Sequence, residues 1–186
     1  MSNGDLVWRT AAPGDARAVS AAIDDWWPGR HAVHGVCPQL LEHFGDTCII
    51  VERDGAMIGF LIGFMSQRFA DAGYVHYSGV HPEHRGAGLG RAMYERFAQT
   101  TRARGRREVL AEAGAWNVKS IAFHTAVGFT LKPGDEVVDG LPVRRDTIGL
   151  GSDYVAMVWR LDVDAGGMSG SSPASSAPPD PAEAGG

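Results

Sequence analysis

The chain has 186 residues, of which 44% are hydrophobic, and its formal net charge is −5. That length and apolar content predict one globular domain with an adequate core. The charge is concentrated at the C-terminus: residues 162–186 hold four acids and no Lys or Arg, which leaves 18 acids against 17 bases in residues 1–161. A nearly neutral body argues against a nucleic-acid binder, because such proteins neutralise phosphates with basic side chains.

The ends of the chain and its cysteines predict a cytoplasmic protein without a membrane partner. The first five residues lack the basic and apolar regions of a signal peptide. The longest apolar run, residues 57–65, is far shorter than the ~20 residues that span a bilayer. Cys37 and Cys48 form no Cys-x-x-Cys motif. Residues 162–186 are rich in Gly, Ser, Pro and Ala, so we expect a disordered tail after a folded domain at 1–161.

The first half of the chain predicts strands separated by two helices. Apolar residues recur at helical spacing from Val19 to Trp26, after a predicted N-cap at Asp15. A short second helix is expected around Leu41, and Asp54-Gly55 predicts a hairpin turn. The predicted strands are 6–9, 47–52, 57–66 and 74–80.

The second half predicts two helices between further strands. A helix is expected from about Gly88 to Arg104, and another at 118–127, capped by Asn117. Asp139-Gly140 suggests a tight turn in an elaborated segment. The remaining strands are expected at 107–113, 129–131 and 153–161. The predicted order is therefore β-α-α-β-β-β-α-β-α-β-β.

Three glycines, Gly86, Gly88 and Gly90, stand where the strand at 74–80 gives way to a helix. Glycine allows close approach of the backbone to a ligand, and a helix start offers unpaired N–H groups at the positive end of the dipole. That combination suits a phosphate. A P-loop would need Gly-Lys-Ser/Thr, but Gly90 is followed by Arg91. A dinucleotide fingerprint would need different glycine spacing.

The sequence Arg85-Gly86-x-Gly88-x-Gly90, preceded by Val80-His81-Pro82-Glu83-His84, resembles the acyl-CoA pyrophosphate loop of the GCN5-related N-acetyltransferase (GNAT) superfamily. Residues 117–129, NVKSIAFHTAVGF, resemble the second CoA-contacting segment of that family. The resemblance extends over about 5–161. It implies an α/β (α+β) GNAT fold, in which a mixed, mostly antiparallel central sheet is flanked by helices.

The resemblance also implies acetyl-CoA as co-substrate and a set of residues that hold it. Amides of the loop would bind the pyrophosphate with charge from Arg85 and Arg91, and Asn117 would hydrogen-bond the pantetheine arm. The implied binding residues are Val80, Arg85, Gly86, Ala87, Gly88, Leu89, Gly90, Arg91, Asn117 and Ser120. The alternatives are an ordinary glycine-rich turn for the loop and a simple helix cap for Asn117.

The implied catalytic residues are Val80, His76 and His124. In GNAT relatives a bulge frees a main-chain N–H for the thioester carbonyl, and Gly79-Val80 occupies that place, so the Val80 amide is expected to stabilise the oxyanion. His76 stands where many members carry a Glu that acts as general base. Strand alternation predicts that His76 shares a face with Ser78. His124 replaces the tyrosine that usually protonates the thiolate. The alternatives are a half-buried structural histidine at 76 and a surface histidine at 124.

No metal site is expected, although His81 and His84 form a His-x-x-His pair near His76. A strand exit and a loop fit a preorganised metal site poorly. Acidic, aromatic and histidine residues that precede the second strand offer a weak hint of a cationic acceptor; they are Asp24, Asp25, Trp26, Trp27, His31, His34, Glu42 and His43.

The sequence thus predicts an acetyl-CoA-dependent N-acetyltransferase that acts on the amine of a small molecule in a ternary complex. Two alternatives stay open: acetylation of a protein N-terminus or lysine, and a non-catalytic acyl-CoA-binding regulatory module. The acceptor, the acyl length and the oligomeric state carry no motif. A homodimer is one expectation, since GNAT relatives are often dimers.

Overall fold

The computed structural model describes residues 5–27, 36–146 and 151–161. The predicted tail at 162–186, and His31 and His34, lie outside these residues. The elements are β1 (Leu6–Thr10), α1 (Asp15–Trp26), α2 (Pro38–Phe44), β2 (Ile49–Arg53), β3 (Ala56–Met65), β4 (Ala72–Val80), α3 (Leu89–Ala103), β5 (Glu108–Gly114), α4 (Val118–Val127), β6 (Thr130–Leu131), β7 (Glu136–Val138), β8 (Leu141–Val143) and β9 (Tyr154–Arg160).

A seven-stranded sheet in the order β1-β2-β3-β4-β5-β9-β6 forms the centre of the fold. Adjacent strands of this sheet are antiparallel, except for β4 and β5, which are parallel. The predicted mixed, mostly antiparallel sheet is therefore confirmed. The elaborated segment forms a separate hairpin of β7 and β8, in which Asp139 and Gly140 have φ of 50° and 79°. A type I′ turn needs these positive angles.

Each face of the sheet is covered by its own pair of helices, because side chains alternate along a strand. On one face α1 and α2 pack through Val19, Ile23 and Leu41 against Phe60 and other residues of β2 and β3. The core on the opposite face is built from α3 and α4. Its buried members include Met93, Tyr94, Phe97, Ile121, Phe129, Val155 and Met157.

Two predicted boundaries are wrong. Asp15 is the first residue of α1 rather than its N-cap; its carboxylate accepts from the Ala12 N–H at 2.8 Å and pairs with Arg9. Thr47 lies in a 3₁₀ turn before β2, where its hydroxyl is 2.9 Å from the nearby Phe44 carbonyl and 2.6 Å from the Gly63 carbonyl. A short polar side chain that bonds nearby backbone competes with regular structure in both places.

One extra residue, His76, interrupts the ladder between β3 and β4. Ile62 pairs with Tyr77, whereas the next residue, Gly63, pairs with Val75. The inserted residue makes this a β-bulge, which bends the strand. Beyond it β4 leaves β5: their pairing ends at Val75 with Ala111, although β4 continues to Val80. The two central strands therefore diverge, and a gap opens between them.

Candidate active site

A cavity of about 900 Å³ lies beside the end of β4, beyond the point where β4 and β5 stop pairing. The glycine stretch and the start of α3 form one wall, and α4 forms another. Its lining residues are Trp26, Trp27, Ser78, Gly79, Val80, His84, Arg85, Gly86, Gly88, Leu89, Gly90, Arg91, Met93, Tyr94, Trp116, Asn117, Lys119, Ser120, Phe123 and His124. Every predicted binding residue except Ala87 is among them. The two segments that carry the sequence motifs thus meet at one site.

The glycine stretch begins α3 with backbone that an L side chain rarely adopts. Gly86 and Gly88 have φ of 80° and 81°, and Gly88 is the N-cap of α3. A Cβ at either glycine would meet no atom within 4 Å. The glycines are therefore needed for conformation and not for internal packing. The result is an open helix N-terminus at the cavity, which suits an anion.

Two arginines border this helix start, and both already contact backbone carbonyls. Arg85 donates from Nε to the Val80 carbonyl at 3.0 Å and from Nη2 to the Trp26 carbonyl at 3.0 Å. Arg91 donates to the carbonyl of Ala126, in the last turn of α4. The carbonyl partners are neutral, so Arg85 keeps its positive charge at the site, whereas Arg91 also pairs with the Glu95 carboxylate at 3.8 Å. Both arginines tie α1 and α4 to the helix start.

The start of α4 supplies polar groups on the other side of the cavity. Asn117 caps the helix: its Oδ1 accepts from the Ser120 N–H at 3.4 Å. The predicted cap is confirmed, and Asn117 and Ser120 both line the cavity. Lys119 and the exposed Trp116 lie beside them. A polar rim with an aromatic ring therefore faces the glycine stretch across the cavity.

The main-chain N–H of Val80 points into the gap. The main-chain N–H of His81 donates to the Ile58 carbonyl at 2.9 Å, which marks His81 and Ile58 as a hydrogen-bonded position of the ladder. Hydrogen-bonded pairs alternate along an antiparallel ladder, which makes Val80 opposite Gly59 a non-bonded pair with its N–H turned away from β3. The bulge predicted at Gly79-Val80 is wrong, since it lies at His76, and the role of the Val80 N–H stays a prediction.

A chain of hydrogen bonds runs from β4 through α3 to α4. Ser78 Oγ lies 2.9 Å from the Tyr94 hydroxyl, which lies 2.8 Å from Nε2 of His124. Nδ1 of His124 lies 2.7 Å from the Ser120 carbonyl. A carbonyl can only accept, so Nδ1 carries a proton and, in the neutral ring, Nε2 accepts from Tyr94. The direction Ser78 to Tyr94 to His124 follows.

Aromatic rings pack around the His124 end of this hydrogen-bond chain, and Ser78, Tyr94 and His124 all line the cavity. His124 is 5% exposed, and the rings of Tyr94, Phe123 and Phe129 lie 5.1–5.5 Å from it. Burial lowers the pKa of His124, partly offset by the Ser120 carbonyl, and burial raises the pKa of Tyr94. Both groups are therefore held neutral. The alternative prediction of a surface histidine at 124 is wrong.

His76 does not line the cavity. Its ring lies 4.2 Å from that of Tyr77 and 6.3 Å from that of Tyr74, on the face opposite Ser78. The prediction that His76 and Ser78 share a face is wrong, because the bulge at His76 shifts the alternation by one residue. The residue is exposed, yet crowding by its neighbours lowers its pKa through desolvation.

Sequence reasoning missed Tyr94, the central member of the chain. Its only signal was a tyrosine one residue after Met93 on the buried side of a predicted helix, where a hydroxyl needs a partner. Within the part of the chain that the structure describes, no three His, Cys, Asp or Glu side chains could together hold a metal ion. Among the same residues, no helix is long and apolar enough to cross a membrane.

Comparison with known proteins gives the family and two curated relatives. The sequence model of the family described as Acetyltransferase (GNAT) family matches residues 16–129. L-methionine sulfoximine/L-methionine sulfone acetyltransferase of Salmonella typhimurium is 30% identical over 89 residues, 47% of this chain and 52% of that protein. L-2,4-diaminobutyric acid acetyltransferase of Nocardia farcinica is 30% identical over 84 residues, 45% of this chain and 44% of that protein. The matched part thus spans about half the length of these relatives.

Among solved structures, diaminobutyrate acetyltransferase EctA from Paenibacillus lautus was determined with L-2,4-diaminobutyric acid and coenzyme A. It superposes with a TM-score of 0.61 and is 22% identical, over 83% of this chain and 95% of that one. At this identity the likeness establishes the fold.

Proposed function

This chain belongs to the GNAT family of acetyltransferases, and from that premise we propose that it transfers the acetyl group of acetyl-CoA to the amine of a small molecule by direct attack in a ternary complex. The observation that carries the proposal is the meeting of three features at one cavity: an open helix start, a gap between the two central strands and an inward-pointing amide at Val80.

The residues around the cavity fit acetyl-CoA. Amides of residues 86–90 at the start of α3 suit a pyrophosphate, because they are unpaired donors at a positive helix end near Arg85 and Arg91. The gap between β4 and β5 offers strand edges to a pantetheine arm, and Asn117 and Ser120 lie across from it. A thioester held along that path would lie beside Ser78 and Val80.

The Val80 N–H is the group that we assign to the developing oxyanion. A main-chain donor fixed in a strand costs no reorganisation when charge forms on the carbonyl oxygen, and such donors contribute most in sites that exclude water. The indole of Trp27 packs against Gly79, so this part of β4 is held from the opposite face.

A small amine is the acceptor that the relatives support. The two curated relatives are named for methionine sulfoximine, methionine sulfone and diaminobutyric acid, which are all small molecules with an amino group. In this proposal His124 moves the proton through the buried chain. His76, on the opposite face, is not required.

Release of free thiol from acetyl-CoA tests the proposal. The full chain is assayed with a panel of amino acids, including methionine sulfoximine and 2,4-diaminobutyrate, and with a panel of peptides. We expect thiol release that depends on a small amine, with the acetylated product identified by mass. Acetyl-CoA binding without thiol release for any amine would favour the regulatory module, and activity on peptides alone would favour the protein acetyltransferase.

A further inference from the structure

We propose that Ser78, Tyr94 and His124 form a proton shuttle that takes the proton from the attacking amine and returns it to the leaving thiolate. The inference rests on the proposed function and deepens it, because it assigns the proton transfers to one route. All three residues line the cavity, and the two links of the route measure 2.9 and 2.8 Å. Both are ordinary hydrogen-bond lengths.

The direction of the resting hydrogen bonds allows the Ser78–Tyr94–His124 route to accept a proton from the cavity. The Ser120 carbonyl fixes the proton on Nδ1 of His124, so Nε2 accepts from Tyr94 and Tyr94 accepts from Ser78. Ser78 Oγ donates its proton inward and has lone pairs left for the cavity that it lines. A proton that arrives at Ser78 Oγ can therefore be passed inward by two concerted transfers.

The surroundings of His124 suit temporary storage of a proton. The groups that face its ring are Tyr94 from α3, Ser120 and Phe123 from α4, and Phe129 after α4. None of these is charged. The ring rests neutral in this apolar environment, so it can accept a proton, and the imidazolium that forms gives the proton back readily because the site does not stabilise its charge.

The transfers balance over one turnover. When the neutral amine bonds to the thioester carbon, the nitrogen gains a positive charge and loses one proton to Ser78 Oγ. The Ser78 proton moves to Tyr94, and the Tyr94 proton moves to Nε2 of His124. When the carbon–sulfur bond breaks, its electron pair stays on sulfur, and the same transfers in reverse deliver one proton to sulfur. The products are an amide and a thiol, and His124 is neutral again.

A single hydroxyl can serve both steps because nitrogen and sulfur are bonded to the same carbon when the proton must move. Ser78 and Val80 lie two residues apart on β4 and line the same cavity, so a thioester carbon held there can lie within reach of both the Ser78 hydroxyl and the Val80 N–H. Tyr94 would act as a relay and not as a base, since burial raises its pKa.

The test compares Ser78→Ala, Tyr94→Phe, His124→Phe and the double variant Tyr94→Phe/His124→Phe with the unaltered chain. Each single variant is expected to lower kcat by about 100-fold, in the range for general acid–base catalysis, with acetyl-CoA affinity changed less than twofold. The double variant should be no slower than His124→Phe, because one broken link already interrupts the route. The acidic limb of the pH–rate profile, set by His124, should disappear in Tyr94→Phe.

Thr101→Val is the matched control. It removes a buried hydroxyl from α3, the helix that also carries Tyr94. Thr101 donates to the Phe97 carbonyl and lies away from the cavity. We expect an unchanged kcat. Ser78→Ala keeps the test open if the Tyr94 variant fails to fold, since Ser78 is only half-buried.

The outcomes separate the shuttle from the proposed function. An active unaltered chain whose Ser78→Ala and Tyr94→Phe variants keep its kcat and pH profile would overturn the shuttle alone. An unaltered chain that releases no thiol with any amine would overturn the proposed function, and the shuttle with it.

Discussion

The Tyr94 hydroxyl lies 2.8 Å from Nε2 of His124, and this bond joins the two helices that enclose the cavity. Ser78 on β4 extends this bond into one polar chain that lines the cavity and connects three elements of the fold. Buried polar groups persist only when they are paired, and here each one is. The arrangement stabilises the core and also leads from the protein interior to the proposed reaction centre.

Replacement of Gly88 by alanine is expected to weaken acetyl-CoA binding by at least tenfold. A Cβ strains the left-handed backbone at φ 81° by about 1 kcal/mol, and relief of that strain moves the amides that start α3. Gly140→Ala is the matched control, because its φ of 79° gives similar strain in a hairpin turn outside the cavity lining. Both variants should lose similar thermal stability, and titration calorimetry should show an affinity loss for Gly88→Ala alone. Equal acetyl-CoA affinities of the two variants would contradict the assignment of the glycine stretch to the pyrophosphate.

Replacement of Val80 by proline is expected to lower kcat by about 100-fold, as loss of one oxyanion donor does. Proline removes the N–H that points into the gap and, by the alternation of the ladder, leaves the bonds to β3 in place. Val80→Ala shortens the side chain, keeps the N–H and should retain kcat within a few-fold. Steady-state kinetics distinguish the two variants. Similar rates for both would place the oxyanion donor elsewhere.

The folded chain is expected to lose stability as the pH falls below the unfolded-state pKa of His124, about 6.5. Burial lowers its folded-state pKa, so the unfolded state binds the proton first. The stabilisation is thus complete above that pH and is lost towards the folded-state value, with a limiting slope of about 1.4 kcal/mol per pH unit. Urea unfolding at a series of pH values from 5 to 8 measures how the free energy of unfolding changes with pH.

In that experiment, the slope of unfolding free energy against pH is compared between His124→Phe and Thr101→Val. The His124 variant should have a shallower slope, though not a flat one, because desolvation also lowers the pKa of His76. The Thr101 variant alters the same core without removal of a titratable group and should retain the slope. Identical slopes in both variants would mean that His124 is not held neutral.

Replacement of Gly79 by alanine is expected to destabilise the fold by about 1–3 kcal/mol, the usual cost of overpacking. Its Cβ would lie 2.4 Å from the Trp27 ring and 2.8 Å from the Phe60 ring. Gly14→Ala is the control, since a Cβ there meets nothing within 4 Å. Chemical denaturation of the two variants gives the difference. An equal stability would show that Trp27 does not pack against this part of β4.

Local patterns in the sequence predicted most of the fold, because hydrophobic spacing and glycine or proline punctuation are local properties. The α4 boundaries, the Asn117 cap and the Asp139-Gly140 turn are as predicted. The strand bulge was misplaced, since it depends on the register between β3 and β4, which no local pattern contains. A shift of one residue reverses the face of a side chain, and His76 was assigned to the wrong face for that reason.

The candidate site was predicted in part for the same reason. The loop residues and Asn117 carry family motifs in continuous stretches, and all but Ala87 line the cavity. Tyr94 and Ser78 belong to different elements, and their bond joins residues 16 apart in the chain. Only the three-dimensional packing of α3 on β4 brings them together. Arg85 was expected at a phosphate, and its bond to the Trp26 carbonyl, 59 residues away, was equally invisible to sequence reasoning.

A crystal structure of the full chain with coenzyme A is the most direct measurement of the central claim. We expect the pyrophosphate on the amides of residues 86–90, the pantetheine arm between β4 and β5, and the sulfur within hydrogen-bond reach of Ser78 Oγ. A coenzyme bound elsewhere, or a sulfur directed away from Ser78 and Val80, would contradict it.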